Sequence, residues 1–97
     1  MSDSAAPSVR RNPARHRFEL EADGRPAGNL VYREREGVLE LVHTEVDDAF
    51  QGRGLAAVLA KAALDDARAA GQKVVPSCAY VASYIERHPE YRDLVAS

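Results

Sequence analysis

From Arg17 onward, apolar and charged side chains take turns: Phe18, Leu20 and Ala22 hold every second position of "RFELEA". That period predicts a strand with one buried face. "DGRPAG" supplies a turn, and "NLVYRERE" predicts a second strand around Leu30 and Tyr32. Gly37 marks the next turn. The segment after it, "VLELVHTEV", is the most strand-like of the chain, with Val38, Leu39, Leu41, Val42 and Val46. Short connections between consecutive strands predict an antiparallel meander.

The period changes at Leu55. From there to Ala70 strong helix formers dominate, with Leu59, Ala63, Ala67 and Ala70 on one face, flanked by Ala56, Ala60 and Leu64. Lys61, Asp65 and Arg68 share the other face, while Asp66 lies near the edge of the apolar stripe and fits it less well. Gly71 is placed to cap the helix. "KVVPSC" predicts a short buried strand ended by Pro76, and "AYVASYIERH" a second helix stopped by Pro89. The fold class is therefore α/β (α+β): a mixed sheet, antiparallel strands followed by helix, strand, helix. A strand, crossover helix and following strand run parallel, so Val38–Val46 and Lys73–Ser77 should be neighbours or near neighbours.

Residues 1–14 are rich in Ser, Ala, Pro and Arg without apolar period and are expected to form a mobile tail. Residues 15–97 make one domain, since 97 residues support one core. The net charge of −2 argues against a surface built to neutralise a nucleic-acid backbone. No apolar run reaches membrane-spanning length and the N-terminus lacks a secretory apolar centre, so a cytoplasmic location is expected. Asp3 and two prolines oppose an organellar transit helix. Cys78 has no second cysteine to pair with, which suits a reducing compartment. No metal is suggested, because His16, His43 and His88 fall on separate elements. A monomer or weak dimer is expected.

Gly52 and Gly54 stand between the third strand and the long helix, where backbone freedom is costly to freeze. If the helix begins near Gly54 or Leu55, the amides of Gln51 to Ala56 face outward at its N-terminus. Orphan N–H groups and the positive end of the helix dipole attract phosphate there, and glycines permit close approach. An ordinary tight turn before a helix is the plain alternative. A Walker loop fails because no Lys-Ser or Lys-Thr follows. "GRGLAA" formally matches a dinucleotide fingerprint, but no acidic residue stands near Ser77 and the chain is too short for that sheet.

"QGRGLA", Gln51 to Ala56, resembles the Q-x-x-G-x-G/A pyrophosphate loop of the GNAT acetyltransferase superfamily. The order of strand, loop, helix, strand, helix is similar to that superfamily's cofactor-binding half. "HTEV" and "VVPSCAYVASYIERHPEY" resemble a subgroup of small single-domain GNAT-like proteins, and the likeness covers nearly everything from Phe18 to Val95. The resemblance implies acetyl-CoA as co-substrate, with the CoA pyrophosphate on the Gln51–Ala56 amides and the thioester between the Val38–Val46 and Lys73–Ser77 strands. Val46, Gln51, Gly52, Arg53, Gly54, Leu55, Ala56, Tyr84 and Arg87 are its implied cofactor contacts. It implies Cys78 and His43 as the catalytic pair, and an amine, small molecule or peptide, as acceptor.

Acetyl transfer to an amine needs a neutral nucleophile, hence a base, and donors for the thioester carbonyl. Cys78 follows a predicted strand beside a helix N-terminus, where thiol pKa falls, and can accept an acetyl group; equally, it is a small buried hydrophobe. His43 has a suitable base, but whether it shares a face with Leu39 and Leu41 depends on local bulging. Glu45 is a second base candidate. Arg53 suits a CoA phosphate or is a solvated loop residue; the resemblance implies a departing thiolate for Tyr84, with aromatic packing against the sheet the alternative; Arg87 or His88 suits either a phosphate or the helix C-terminus. Tyr80 is expected to pack. An acetyl-CoA-dependent N-acetyltransferase is the leading reading; a non-catalytic acyl-CoA-binding or sensing module and a small interaction domain are its rivals.

Overall fold

Alternation in "RFELEA" and in the two segments after it produces three adjacent strands, and a further strand precedes them. The computed structural model describes residues 6–96. Its strands are β1 (Ser8–Asn12), β2 (Arg17–Ala22), β3 (Arg25–Arg35), β4 (Val38–Val46) and β5 (Lys73–Pro76), and its α-helices are α1 (Leu55–Ala70) and α2 (Ala79–Arg87). Short 3-10 segments occupy Asp48–Phe50 and Pro89–Leu94. The sheet order is β1-β2-β3-β4-β5; the first three pairings are antiparallel and β4–β5 is parallel.

Both helices contribute to one core on one face of this sheet. Phe18, Leu20, Leu30, Tyr32, Leu39, Leu41 and Val74 meet Leu59, Ala63, Leu64 and Ala67 of α1 and Val81 of α2 there. The apolar stripe of α1 is as its period predicts except at the ends, since Ala70 is exposed and Ala56 half-buried. Gly71 caps the helix in the left-handed conformation. Asp66, the misfit of the stripe, accepts an ion pair from Arg11 at 2.7 Å.

Two expectations need correction. Residues 8–12, expected within a mobile tail, are the edge strand β1; residues 1–5 of that tail lie outside the described residues. Arg11 explains why its pattern was hidden. Its guanidinium lies 4.6 Å from the centroid of the Tyr32 ring and donates to the Tyr32 hydroxyl, Asp66 and Glu34, so a charged residue occupies a core-facing position. β5 is buried on one face only, with Val74 inside and Val75 exposed.

The other sheet face carries no helix among the described residues. Arg10, Arg17, Glu19, Asn29, His43 and Glu45 lie on it, as the register shows: Arg10 pairs with Glu19, Glu19 with Asn29 and Asn29 with Glu45.

Candidate active site

Register decides what surrounds Cys78. Along β4 the partners run Tyr32 with Leu41 and then Val31 with His43, so β4 spends two residues where β3 spends one. Val42 is the extra residue of a bulge, and a bulge reverses the alternation beyond it. Leu39 and Leu41 face the core, but past the bulge Thr44 does, opposite buried Leu30, while His43 and Glu45 turn to the uncovered face.

The neighbouring strand leaves at the same level. β5 pairs with β4 only from Val38 with Lys73 to Leu41 with Pro76. Pro76 has no N–H to extend the ladder. The Cys78 amide makes a last bond to the Leu41 carbonyl, 2.9 Å, and the chain then turns into α2. Beyond Leu41, β4 therefore has no strand beside it on that edge among the described residues, and a wedge opens between Val42–Val46 and the start of α2.

Cys78 stands at the head of this wedge as the residue preceding α2. Its side chain is mostly buried, with Sγ 3.4 Å from Thr44 Oγ1. Burial pushes the thiol pKa up, but the Thr44 hydroxyl and the nearby amides of Val81, Tyr80 and Thr44 outweigh it, and the thiol is held below its ordinary range. None of these amides makes a full capping bond to the sulfur; the thiolate is favoured by their combined field and the hydroxyl.

The expected side-chain pair of Cys78 with His43 is not assembled. His43 is exposed on the far face, and the residue beside the sulfur is Thr44. Sequence reasoning passed over Thr44 because only the bulge turns it inward.

Of the amides expected to face outward from Gln51 to Ala56, that of Gln51 does not, because it closes the 3-10 turn on the Asp48 carbonyl at 3.3 Å; those that follow are free. Gly52 and Gly54 have φ of +80° and +72°, a left-handed backbone that glycine alone adopts without strain. Among the described residues no hydrogen bond is donated by the amides of Gly52, Arg53 or Gly54. Leu55 and Ala56 open α1, so their N–H groups have no carbonyl one turn back. The Gln51 side chain does not reach outward; its amide donates 2.9 Å to the Val46 carbonyl and ties the loop to the end of β4. Arg53 is engaged too. It pairs with Asp23 at 3.0 Å, in the β2–β3 turn, and lies over the buried ring of Phe50, which Arg25 also faces. Its hydrogen bond holds the Asp23 carboxyl below the usual carboxylate range.

On α2, Tyr84 is buried and stacked on His88 with centroids 4.0 Å apart, and burial raises its pKa. It sits six residues past Cys78, roughly 9 Å along the helix axis, so packing accounts for it. Tyr80 lies half-buried beside it. Arg87 is exposed in the last turn and donates to Ser83. His88 Nδ1 meets the Tyr84 carbonyl. A concavity of about 720 Å³ lies apart from the wedge at Cys78, on the uncovered face, and reaches β4 at Glu45 and Val46.

Comparison with known proteins agrees with this architecture. Residues 17–94 match the family model described as GCN5-related N-acetyl-transferase. Protein NATD1 of Xenopus tropicalis is 34% identical over 91 residues, covering 92% of this chain and 84% of that protein. Protein NATD1 of Mus musculus is 35% identical over 83 residues, covering 84% and 76%. The solution structure of a GCN5-like protein from Staphylococcus aureus superposes with a TM-score of 0.70 at 22% identity over 93% of this chain and 88% of that one, a likeness of fold. The chain belongs to the GCN5-related N-acetyltransferase family.

Proposed function

We propose that the protein transfers the acetyl group of acetyl-CoA to an amine, by way of Cys78. One observation carries the reading: β4 and β5 part beyond Leu41, and the wedge they leave has the Cys78 sulfur at its head and the free amides of the Gly52–Ala56 loop at the far end of the same strand. The pyrophosphate of CoA suits those amides, which concentrate positive potential at the start of α1. Its thioester arm then runs along the edge of β4 left without a strand partner.

The thiol pKa, held below its ordinary range by the Thr44 hydroxyl and nearby amides, favours the thiolate, which is the nucleophilic form. That thiolate attacks the thioester carbonyl, the C–S bond to CoA breaks, and CoA leaves as its thiolate with acetyl on Cys78. Thioester replaces thioester, so the exchange is close to balanced. A neutral amine then attacks the acetyl-cysteine carbonyl, its proton passes to a base, and Cys78 is released as thiolate. His43, exposed on the uncovered face of β4, is the candidate for that base.

Mass spectrometry of intact protein after mixing with acetyl-CoA tests the route. An added acetyl group on Cys78, discharged by amines, is expected; turnover undiminished in Cys78→Ala would remove the covalent route and leave direct transfer. Calorimetry with CoA tests the cofactor site separately, and absence of both heat and thermal stabilisation would leave no acetyltransferase reading standing.

A further inference from the structure

The two glycines that loosen the backbone before α1 also leave it nearly bare of side chains. Between Gln51 and Leu55 only Arg53 carries one, so no other side chain can tie the Gly52–Gly54 amides to the rest of the molecule. Arg53 makes two such ties. Its guanidinium meets the Asp23 carboxylate with both terminal nitrogens, Nη1 to Oδ2 at 3.0 Å and Nη2 to Oδ1 at 3.4 Å. It also lies 5.4 Å from the centroid of the buried Phe50 ring. On the other side of Gly52, the Gln51 side chain is anchored separately to the Val46 carbonyl.

Asp23 is itself fixed by the hairpin that carries it. Ala22 pairs with Arg25, which leaves Asp23 and Gly24 as a two-residue turn, and both have positive φ, +55° and +74°. Such a turn follows the twist of its strands and accepts Asn at its first position as readily as Asp. The turn therefore does not call for a carboxylate. Neither does a phosphate-binding loop, since an anion beside it repels the ligand. The pairing with Arg53 offsets that repulsion, and Arg25, whose guanidinium lies 5.1 Å from the Phe50 centroid, adds a second cation to the cluster.

We infer that Asp23 is a positioning residue for the cofactor loop: through Arg53 it holds the Gly52–Gly54 backbone in its left-handed form, with its amides available, before CoA arrives. This rests on the acetyl-CoA reading above. A loop ordered in advance loses less conformational freedom on binding, and the difference appears as affinity. Arg53 is then a strut between the β2–β3 turn and the loop, its guanidinium committed to Asp23 and not to a phosphate.

CoA calorimetry and backbone 15N relaxation on the full chain test this together. Asp23→Asn keeps the turn and removes the charge. Its CoA dissociation constant should rise about two- to five-fold, the range of exposed ion pairs, and Asp23→Glu, which keeps the charge, should recover part of the affinity. Arg53→Gln should weaken CoA by a similar factor, and the Asp23→Asn/Arg53→Gln double variant by no more than either single one. In the unliganded protein, the order parameters of the Gly52, Arg53 and Gly54 amides should fall in both single variants while those of α1 hold. An ion pair with a structural role alone would change thermal stability and leave those amides and the CoA constant where they were. Were Asp23 only a neighbouring charge, Asp23→Asn would tighten CoA binding. Tighter or unchanged binding in that variant overturns the proposal, and so does a loss in Arg53→Gln several-fold beyond that in Asp23→Asn, which would make Arg53 a phosphate ligand. Absence of heat with CoA in the parent removes the cofactor reading itself; relaxation then decides the strut alone, and unaltered order of the three amides in Asp23→Asn overturns it.

Discussion

The Thr44 hydroxyl oxygen stands 3.4 Å from the Cys78 sulfur, across the wedge where β4 and β5 part. A hydroxyl in this place stabilises the thiolate more than the thiol, in opposition to burial. Thr44→Val removes it and keeps the shape. A lowered pKa means that the thiolate fraction is half-maximal at a pH below that of a free cysteine. The variant should move that midpoint upward, because the donor that favours the anion is gone. The rate of iodoacetamide alkylation against pH measures it, and a superimposable profile would show that Thr44 does not tune the thiol.

Gly54 precedes α1 with φ of +72°, and a Cβ there would meet no atom within 4 Å. Strain in Gly54→Ala therefore comes from backbone conformation alone, about 1–2 kcal/mol. Thermal denaturation should register that modest loss. If the loop holds CoA as proposed, CoA affinity should fall by a larger factor than the stability change implies, since the added methyl stands over the amides assigned to the pyrophosphate. Unchanged CoA affinity would separate the loop from the cofactor.

Gly28 offers the opposite case. Its backbone conformation is ordinary, but a Cβ would press on the Glu45 carbonyl oxygen, with the Val46 Cα at 3.1 Å. Backbone atoms have little room to yield, so Gly28→Ala should push β3 from β4 and cost about 1–3 kcal/mol. Denaturant midpoints check this, and a neutral result would mean the strands slide freely there.

Tyr91 donates to Asp65 at 2.6 Å, and Lys61 reaches the same carboxylate. Burial raises the Asp65 pKa, but these two donors outweigh it and hold the group below its ordinary value. A carboxyl lowered on folding stabilises the native state above its unfolded pKa, and that contribution disappears as pH falls through the lower native value. Tyr91→Phe should cost about 1 kcal/mol at neutral pH, and the difference should narrow in strong acid. A gap between parent and variant that is constant to the lowest pH would place the effect in packing.

Arg11 joins β1 to the rest of the molecule through Tyr32, Asp66 and Glu34. Arg11→Ala should lower amide protection in residues 9–12 while leaving α1 and β3 protected. Hydrogen exchange reads both regions at once. Loss spread evenly over the chain would show that β1 does not open as a separate unit.

Most of the fold was legible along the chain. Period two in "RFELEA" and the helical stripe of Leu59, Ala63 and Ala67 record burial on one side of a regular element, and burial is written residue by residue. Gly52, Gly54 and Gly71 were legible for a related reason, because left-handed backbone selects glycine locally. β1 escaped because Arg11 covers two aromatic rings with a charged side chain, a combination that apolar counting cannot register.

The family, the element order from β2 onward and the free amides of Gly52 to Gly54 were thus legible in local sequence: a turn, a cap and an apolar stripe each depend on residues within a few positions. Which side chain meets the Cys78 sulfur was not. One extra residue at Val42 turns Thr44 inward and His43 outward, and a bulge arises from how β3 pairs with β4 while β5 departs at Pro76. Asp23 likewise reaches Arg53 across 30 positions of chain. Such contacts depend on the register between distant strands, which no short stretch specifies, so tertiary structure alone decided them.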